Sequence, residues 1–128
     1  MRRILIAALG ALLPVCALAQ GHDPCDTPRG TPEVNQCALQ KFEAKDRQLN
    51  AVYQTVLKQL ASYDNGAAMK KLLVVSQRKW VEFRDADCVA RQSLYQGGTG
   101  GAESYHDCMT KHTEQRIKEL QPDSWQAG

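Results

Sequence analysis

Apolar residues recur three to four positions apart along the first half of the chain, which is the spacing that places them on one face of a helix. Ala38 and Phe42 begin this stripe, which continues through Leu49, Val52, Tyr53, Val56, Leu57 and Leu60. The pattern predicts a helix over residues 32–62. The preceding sequence Thr31-Pro32-Glu33 is typical of a helix start, with a capping residue, a proline in the first turn and an acidic side chain near the positive end of the helix dipole.

Two further helices follow, separated by turn-forming sequences. Asp64-Asn65-Gly66 predicts a turn, and the run Gly97-Gly98-Thr99-Gly100-Gly101 does not continue a helix without a cost in free energy. A helix is predicted over residues 67–95, with an inward stripe of Met69, Leu72, Leu73, Ser76, Trp80, Phe83 and Val89 or Ala90. A third is predicted over residues 102–120, with Met109, Thr113, Ile117 and Leu120 inward.

These elements predict an all-α fold, a small antiparallel three-helix bundle made of a helical hairpin and a third helix. The helical domain is expected over residues 31–121. A polar loop rich in proline and glycine is expected to precede it at residues 20–30, and a tail to follow it at residues 122–128, because Pro122 ends the third helix.

The N-terminus has the pattern of a secretory signal peptide. Met1-Arg2-Arg3 is basic, residues 4–13 are almost entirely apolar, and Ala17-Leu18-Ala19 fits a cleavage site. We therefore expect residues 1–19 to be removed and the protein to reside in the periplasm or to be secreted. The alternative interpretation is a buried N-terminal helix. Cys16 follows Pro14-Val15, so a lipidated cysteine is not favoured.

Removal of the signal peptide changes the charge of the protein. The whole chain has 16 Lys and Arg against 14 Asp and Glu, and two of the arginines lie in the signal peptide, so the mature chain is neutral overall. A neutral chain has no net field that attracts nucleic acid or an anionic membrane. We therefore expect no nucleic acid partner and no insertion into the membrane after cleavage.

Four cysteines remain after cleavage, and an even number in a small exported chain indicates disulfides. A chain that folds back at the glycine-rich loop brings Cys88 and Cys108 to the same height, which predicts the bridges Cys88–Cys108 and Cys25–Cys37. The rival pair Cys37–Cys88 lies five residues out of register, about 7.5 Å along the helix axis.

The same folding brings polar and aromatic side chains together across the helices. The predicted pairs are Asp46 with Arg84, Asn50 with Trp80, Tyr53 with Gln77, and Arg116 with Trp80. Two interpretations remain open for this group, because it can line a pocket or form a polar layer that specifies the packing.

Candidate catalytic and metal-binding residues are few. Cys108 and His112 lie one helical turn apart, which is compatible with a metal site unless Cys108 is oxidised. Asp85 and Asp87 point in different directions on a helix and do not form a carboxylate pair. No Cys-x-x-Cys motif occurs. We therefore expect no catalytic residues, no metal, no cofactor and no enzymatic activity.

Taken together, the motifs resemble the LprI-type lysozyme inhibitor family. The resemblance rests on the four cysteines, on Gly97-Gly98-Thr99, and on residues Asp46, Leu49, Asn50, Tyr53, Gln77, Trp80, Arg84, Asp85 and Arg116. It implies a small exported helical domain of bacteria that inhibits host lysozyme, by occlusion rather than by chemistry. The alternative function is a structural or interaction module of the envelope with another partner.

The glycine-rich loop, together with the first residues of the predicted third helix, is the predicted partner-binding segment. It spans residues 96–107 and its glycines let it enter a narrow cleft without side-chain clashes. The residues expected to contact a partner are Gly97, Gly98, Thr99, Tyr105, His106 and Asp107. The alternative is that the glycines only allow the third helix to turn back.

Overall fold

The structure is a computed structural model, which describes residue 23 and residues 25–125. Three α-helices follow one another: α1 at Thr31–Leu60, α2 at Gly66–Ser93 and α3 at Gly101–Glu119. No strand occurs among the described residues, which confirms the all-α prediction. The predicted signal peptide, residues 1–19, lies outside the described residues.

Local chemistry explains where α1 begins and how α2 follows it. The carboxylate of Glu33 accepts a hydrogen bond from the Arg29 backbone N–H at 2.6 Å and forms an ion pair with the Arg29 side chain at 3.0 Å. These contacts anchor the first turn of α1 to the preceding loop. A Cβ atom at Gly66 would lie 2.1 Å from the carbonyl oxygen of Leu60. Only glycine therefore allows α2 to start this close to the end of α1.

The three helices form a bundle in which α3 has the central role. α1 and α3 run parallel, and α2 runs antiparallel to both. α3 packs extensively against α1 and against α2, whereas α1 and α2 contact each other little. α1 and α2 follow each other in the chain as the predicted hairpin does. Each of them nevertheless packs mainly against α3 rather than against the other.

The apolar core lies between the C-terminal half of α1, the N-terminal half of α2 and the end of α3. Its buried members are Leu49, Val56, Leu60, Leu73, Ile117 and Leu120. A second, smaller cluster lies at the opposite end of the bundle and contains Cys88, Cys108 and Met109. We call these the apolar end and the disulfide end.

The predicted inward stripe of α2 is partly wrong. Leu72 is 72% exposed and Phe83 is 57% exposed, and Ser76 and Val89 are exposed as well. The reason is that α2 contacts mainly α3, so it buries only a narrow line of side chains. That line contains Leu73, Arg84 and Cys88. An apolar face of α2 consequently remains open to solvent.

A short 3-10 helix, Pro122–Trp125, lies within the predicted tail. The indole of Trp125 packs against the apolar end, and its ring N–H donates a hydrogen bond to the Glu119 carbonyl oxygen at 3.3 Å. This contact places the first residues of the tail against the end of α3.

Both predicted disulfides are confirmed. Cys25 is bonded to Cys37, with Cα atoms 4.9 Å apart, and Cys88 is bonded to Cys108, with Cα atoms 5.5 Å apart. The first bridge ties the N-terminal loop to α1, and the second joins α2 to α3. Two bridges in a small domain fit an oxidising compartment. Within the described residues, no helix has the length and apolar character needed to cross a membrane.

Candidate functional site

Arg84 is the buried charge at the centre of the bundle. Its guanidinium donates a hydrogen bond to the carboxylate of Asp46 at 3.3 Å, as the sequence predicted, and a second one to Asp85 at 2.9 Å. A third, to the buried hydroxyl of Thr113, spans 3.4 Å. These contacts join all three helices, because Asp46 lies on α1, Arg84 on α2 and Thr113 on α3.

Aromatic rings cover the rest of the guanidinium. The Cζ atom of Arg84 lies 5.0 Å from the ring centroid of Trp80 and 5.4 Å from that of Phe42. Arg116 approaches the same Trp80 ring at 5.8 Å, which confirms the predicted contact between these two residues. An indole between two guanidinium groups is a favourable cation–π arrangement.

The other predicted pairs have different partners. The Asn50 amide donates to Asp46 on its own helix at 3.4 Å. The Gln77 side-chain oxygen accepts a hydrogen bond from Arg116 on α3 at 3.0 Å. Tyr53 packs against the apolar end. The centre of the bundle is therefore a polar layer organised by two arginines, with α3 rather than α1 supplying the partner of Gln77.

Asp87 and His112 lie beside the Cys88–Cys108 bridge and form a pair that was not predicted from the sequence. One carboxylate oxygen of Asp87 lies 2.8 Å from the Nε2 atom of His112 and 2.9 Å from the Nε atom of Arg91. The predicted bridge could have indicated this pair from the sequence, because Asp87 precedes Cys88 and His112 follows Cys108 by one helical turn.

Two neighbours shape the electrostatics of this group. The hydrogen bond from His112 and then the hydrogen bond from Arg91 hold the pKa of Asp87 below the usual range of a carboxyl group, since both favour the charged carboxylate. The ring of Phe83 meets the imidazole edge-on, with centroids 5.4 Å apart. Phe83 thus limits the orientations that the imidazole can take.

An open groove of about 520 Å³ lies next to this group, between the end of α2 and the first turns of α3. It is lined by side chains of both signs, including Arg91, Glu103, Asp107, Lys111 and His112. Cys108 of the disulfide also lines it. The groove therefore reaches His112 of this pair from solvent and has no single charge sign.

The loop between α2 and α3 forms the tip of the disulfide end. Gly97, Gly98 and Thr99 are exposed, and Gly97 has a φ angle of +79°, a backbone conformation that favours glycine. Leu94 and Tyr95, which precede the glycines, are 78% and 47% exposed. Sequence reasoning omitted these two residues, because it assigned them to α2.

The ring of Tyr95 lies directly on the loop backbone. A Cβ atom at Gly100 would be 3.0 Å from this ring, so the absence of a side chain there permits the contact. The loop is thus partly ordered by its own aromatic residue.

Of the other predicted contact residues, only Asp107 is exposed. Tyr105 packs against the disulfide-end cluster, and His106 lies beside Phe42 with nearly parallel rings whose centroids are 6.4 Å apart. The Nδ1 atom of His106 is buried without a hydrogen-bond partner. The structure therefore brings Gly97, Gly98 and Thr99 together at the tip, while Tyr105 and His106 pack against other side chains of the bundle.

Comparison with known proteins supplies an independent finding. A family model described as "Lysozyme inhibitor LprI" matches residues 25–120, a range that includes both disulfides and all three α-helices. The chain is also similar to an uncharacterized protein of Rhizobium meliloti (strain 1021), with 29% identity over 124 residues, which cover 88% of this chain and 89% of that protein. No solved structure gives a significant match.

Proposed function

Because the chain belongs to the LprI lysozyme inhibitor family, we propose that it is an exported protein of the bacterial envelope that inhibits lysozyme. The observation that carries this proposal is the extent of the family match, which runs from Cys25 to the end of α3. The N-terminal sequence supports export, and the two disulfides suit the periplasm or the exterior of the cell.

The inhibitor acts by occlusion, without chemistry of its own. His112 and Asp87 form a base-like pair, but the sulfur atoms next to them are joined in a disulfide and are therefore not nucleophiles. An occluding protein instead needs a pre-organised projection, because ordering a mobile segment on binding costs affinity.

The tip of the disulfide end fits this requirement. Leu94 and Tyr95 offer exposed apolar surface beside the glycines, and the Tyr95 ring is held against Gly100. The Cys88–Cys108 bridge fixes the two helices from which the loop projects. Aromatic side chains are effective anchors at interfaces, because they bury a large area and lose little conformational entropy.

A lysozyme lysis assay tests the proposal. Purified protein added to lysozyme and bacterial cell walls is expected to slow lysis and to reach full effect near equal concentrations of the two proteins. Protein that retains its helicity in circular dichroism but leaves the lysis rate unchanged at a large excess would contradict the proposed function.

A pair of matched variants tests the proposed surface. We expect Tyr95→Ala to weaken inhibition by at least about tenfold, the effect of a moderate interface anchor. Leu72→Ala, which removes an exposed side chain from the other half of α2, is expected to leave inhibition unchanged. Equal inhibition by both variants would show that Tyr95 at the tip does not contribute to binding, which contradicts the proposed surface.

A second candidate function is an envelope interaction module with a different partner. The observation that favours it is the open apolar face of α2, with Leu72, Val75 and Phe83 all more than half exposed. Leu72 and Val75 lie one helical turn apart, and contiguous apolar surface often marks a protein contact. If Leu72→Asp abolishes a pull-down from envelope extracts while wild-type protein fails to slow lysis, this candidate replaces lysozyme inhibition.

A further inference from the structure

Four potential metal ligands converge at the disulfide end. They are Asp87, Cys88, Cys108 and His112, and one ligand atom from each lies within 4.8 Å of the ligand atoms of the other three. Two come from neighbouring positions on α2 and two from successive turns of α3. With the sulfurs joined to each other, they are not available to a metal ion.

We propose that opening of the Cys88–Cys108 disulfide converts this cluster into a zinc site. The two thiolates, the Asp87 carboxylate and a nitrogen of His112 then supply four ligands of the types that zinc takes in proteins. The protein thereby exchanges a covalent link between α2 and α3 for a metal-mediated link at the same place.

The distances require only small movements. Zinc bonds of about 2.0 to 2.3 Å place the ligands of a tetrahedron about 3.3 to 3.8 Å apart. The Cys108 sulfur already lies 4.0 Å from the Asp87 carboxylate oxygen, and that oxygen lies 2.8 Å from Nε2 of His112. The Cα atoms of the two cysteines are 5.5 Å apart, which leaves room for two separate sulfurs to face one ion.

The chemical step balances with a dithiol as reductant. The dithiol gives two electrons and two protons to the disulfide, and it becomes a disulfide itself while Cys88 and Cys108 become thiols. Zinc binding then displaces the two thiol protons, because thiolates rather than thiols are the ligands. Oxidation of the two thiolates by a disulfide-forming catalyst would release the ion.

The surroundings suit such a site. Two thiolates and one carboxylate exceed the charge of the zinc ion by one negative unit, and Arg91, 2.9 Å from Asp87, offsets that unit. Phe83 limits the orientations of the His112 ring from outside. The groove of about 520 Å³ reaches both Cys108 and His112, so it gives an ion a path from solvent.

The test compares oxidised and reduced protein. After reduction by a phosphine, which contributes no thiol, the protein is titrated with zinc against a chromogenic chelator and with cobalt(II) for the absorption bands of tetrahedral thiolate coordination. We expect one zinc per chain, at least about 100-fold tighter than in the oxidised protein. Reduced protein that binds zinc no more tightly than oxidised protein would overturn the proposal.

Matched variants separate this site from the other thiols. Cys88→Ser/Cys108→Ser keeps the second cysteine pair and is expected to abolish tight zinc binding after reduction. His112→Gln is expected to weaken binding by more than about 100-fold, which exceeds the 10- to 100-fold effect of losing an outer-shell partner. His106→Gln, on the same helix but facing Phe42, is the control and should bind as wild type.

Circular dichroism of each reduced sample, with and without zinc, reports its folding. Zinc that restores or preserves helicity in wild type but not in His112→Gln supports the site. Zinc affinity that is unchanged by His112→Gln, or abolished equally by His106→Gln, contradicts it.

Discussion

The two ends of the bundle are stabilised by different means. At the apolar end, side chains such as Leu60, Leu73 and Leu120 are fully or almost fully buried and form one cluster across the three helices. At the disulfide end, the buried cluster is reduced to Cys88, Cys108 and Met109. A covalent bond and charged hydrogen bonds replace apolar burial there. The Asp87–His112 pair, the groove and the exposed loop all lie at this same end.

The largest effect is expected at the apolar end. Leu60→Ala removes a fully buried side chain and should lower the free energy of unfolding by about 2 to 5 kcal/mol, through lost burial and the cavity left behind. Leu72→Ala, the same substitution at an exposed position, should change it by less than about 0.5 kcal/mol. Urea denaturation measures both, and similar values would contradict the assigned packing of α2.

The next largest effect is expected at the disulfide end. Replacing Cys88 and Cys108 by alanine removes a bridge between positions 20 residues apart and should cost about 3 kcal/mol, mainly by freeing the unfolded chain. The Cys25–Cys37 bridge spans 12 residues, and its removal should cost slightly less. Thermal denaturation of the two double variants compares them. A larger loss from the Cys25–Cys37 variant would contradict the prediction that the bridge closing the longer loop contributes more to stability.

A smaller effect is expected where the two ends meet, at Arg84 and Asp46. The arginine side chain is buried, but that of Asp46 is 40% exposed, so solvent screens the pair. A double-mutant cycle with alanine should give a coupling of about 1 kcal/mol. A coupling near zero would mean that Asp85 and Thr113 satisfy Arg84 without Asp46.

The smallest effect on stability is expected from Asp87→Asn, and it depends on pH. The pKa of Asp87 is lowered by folding, so its contribution to stability is complete above the ordinary carboxyl pKa of about 4 and disappears as the pH falls through the lowered value. Asp87→Asn lacks this contribution at every pH. The difference between wild type and variant in urea should therefore be largest at neutral pH and shrink in acid. A difference independent of pH would contradict the assignment.

Much of the fold could be predicted from the sequence because helix spacing, turn residues and paired cysteines are local signals. The turn positions were enough to align Cys88 with Cys108 and Asp46 with Arg84. They could not predict which neighbour α2 would contact, because Leu72 and Leu73 are equally apolar and only the position of α3 determines which of them is buried.

The candidate site was predicted only in part for a similar reason. His112 and Asp87 lie on different helices and neither belongs to an apolar stripe, so no periodic pattern connects them. Tyr105 and His106 were expected to face a partner, but in α3 Tyr105 packs against the disulfide-end cluster and His106 lies beside Phe42 of α1. The exposed pair at the tip, Leu94 and Tyr95, was not predicted as contact surface. The sequence has no helix-ending residue before Gly97, so both residues were assigned to the second helix.

Hydrogen exchange with and without lysozyme tests most directly whether the disulfide end is the end that binds lysozyme. We expect slower exchange of backbone amides in residues 93–104 when lysozyme is bound, and unchanged exchange in residues 56–73 at the apolar end. Slower exchange along the exposed face of α2 or at the apolar end, with residues 93–104 unaffected, would contradict it, as would no change anywhere in the chain.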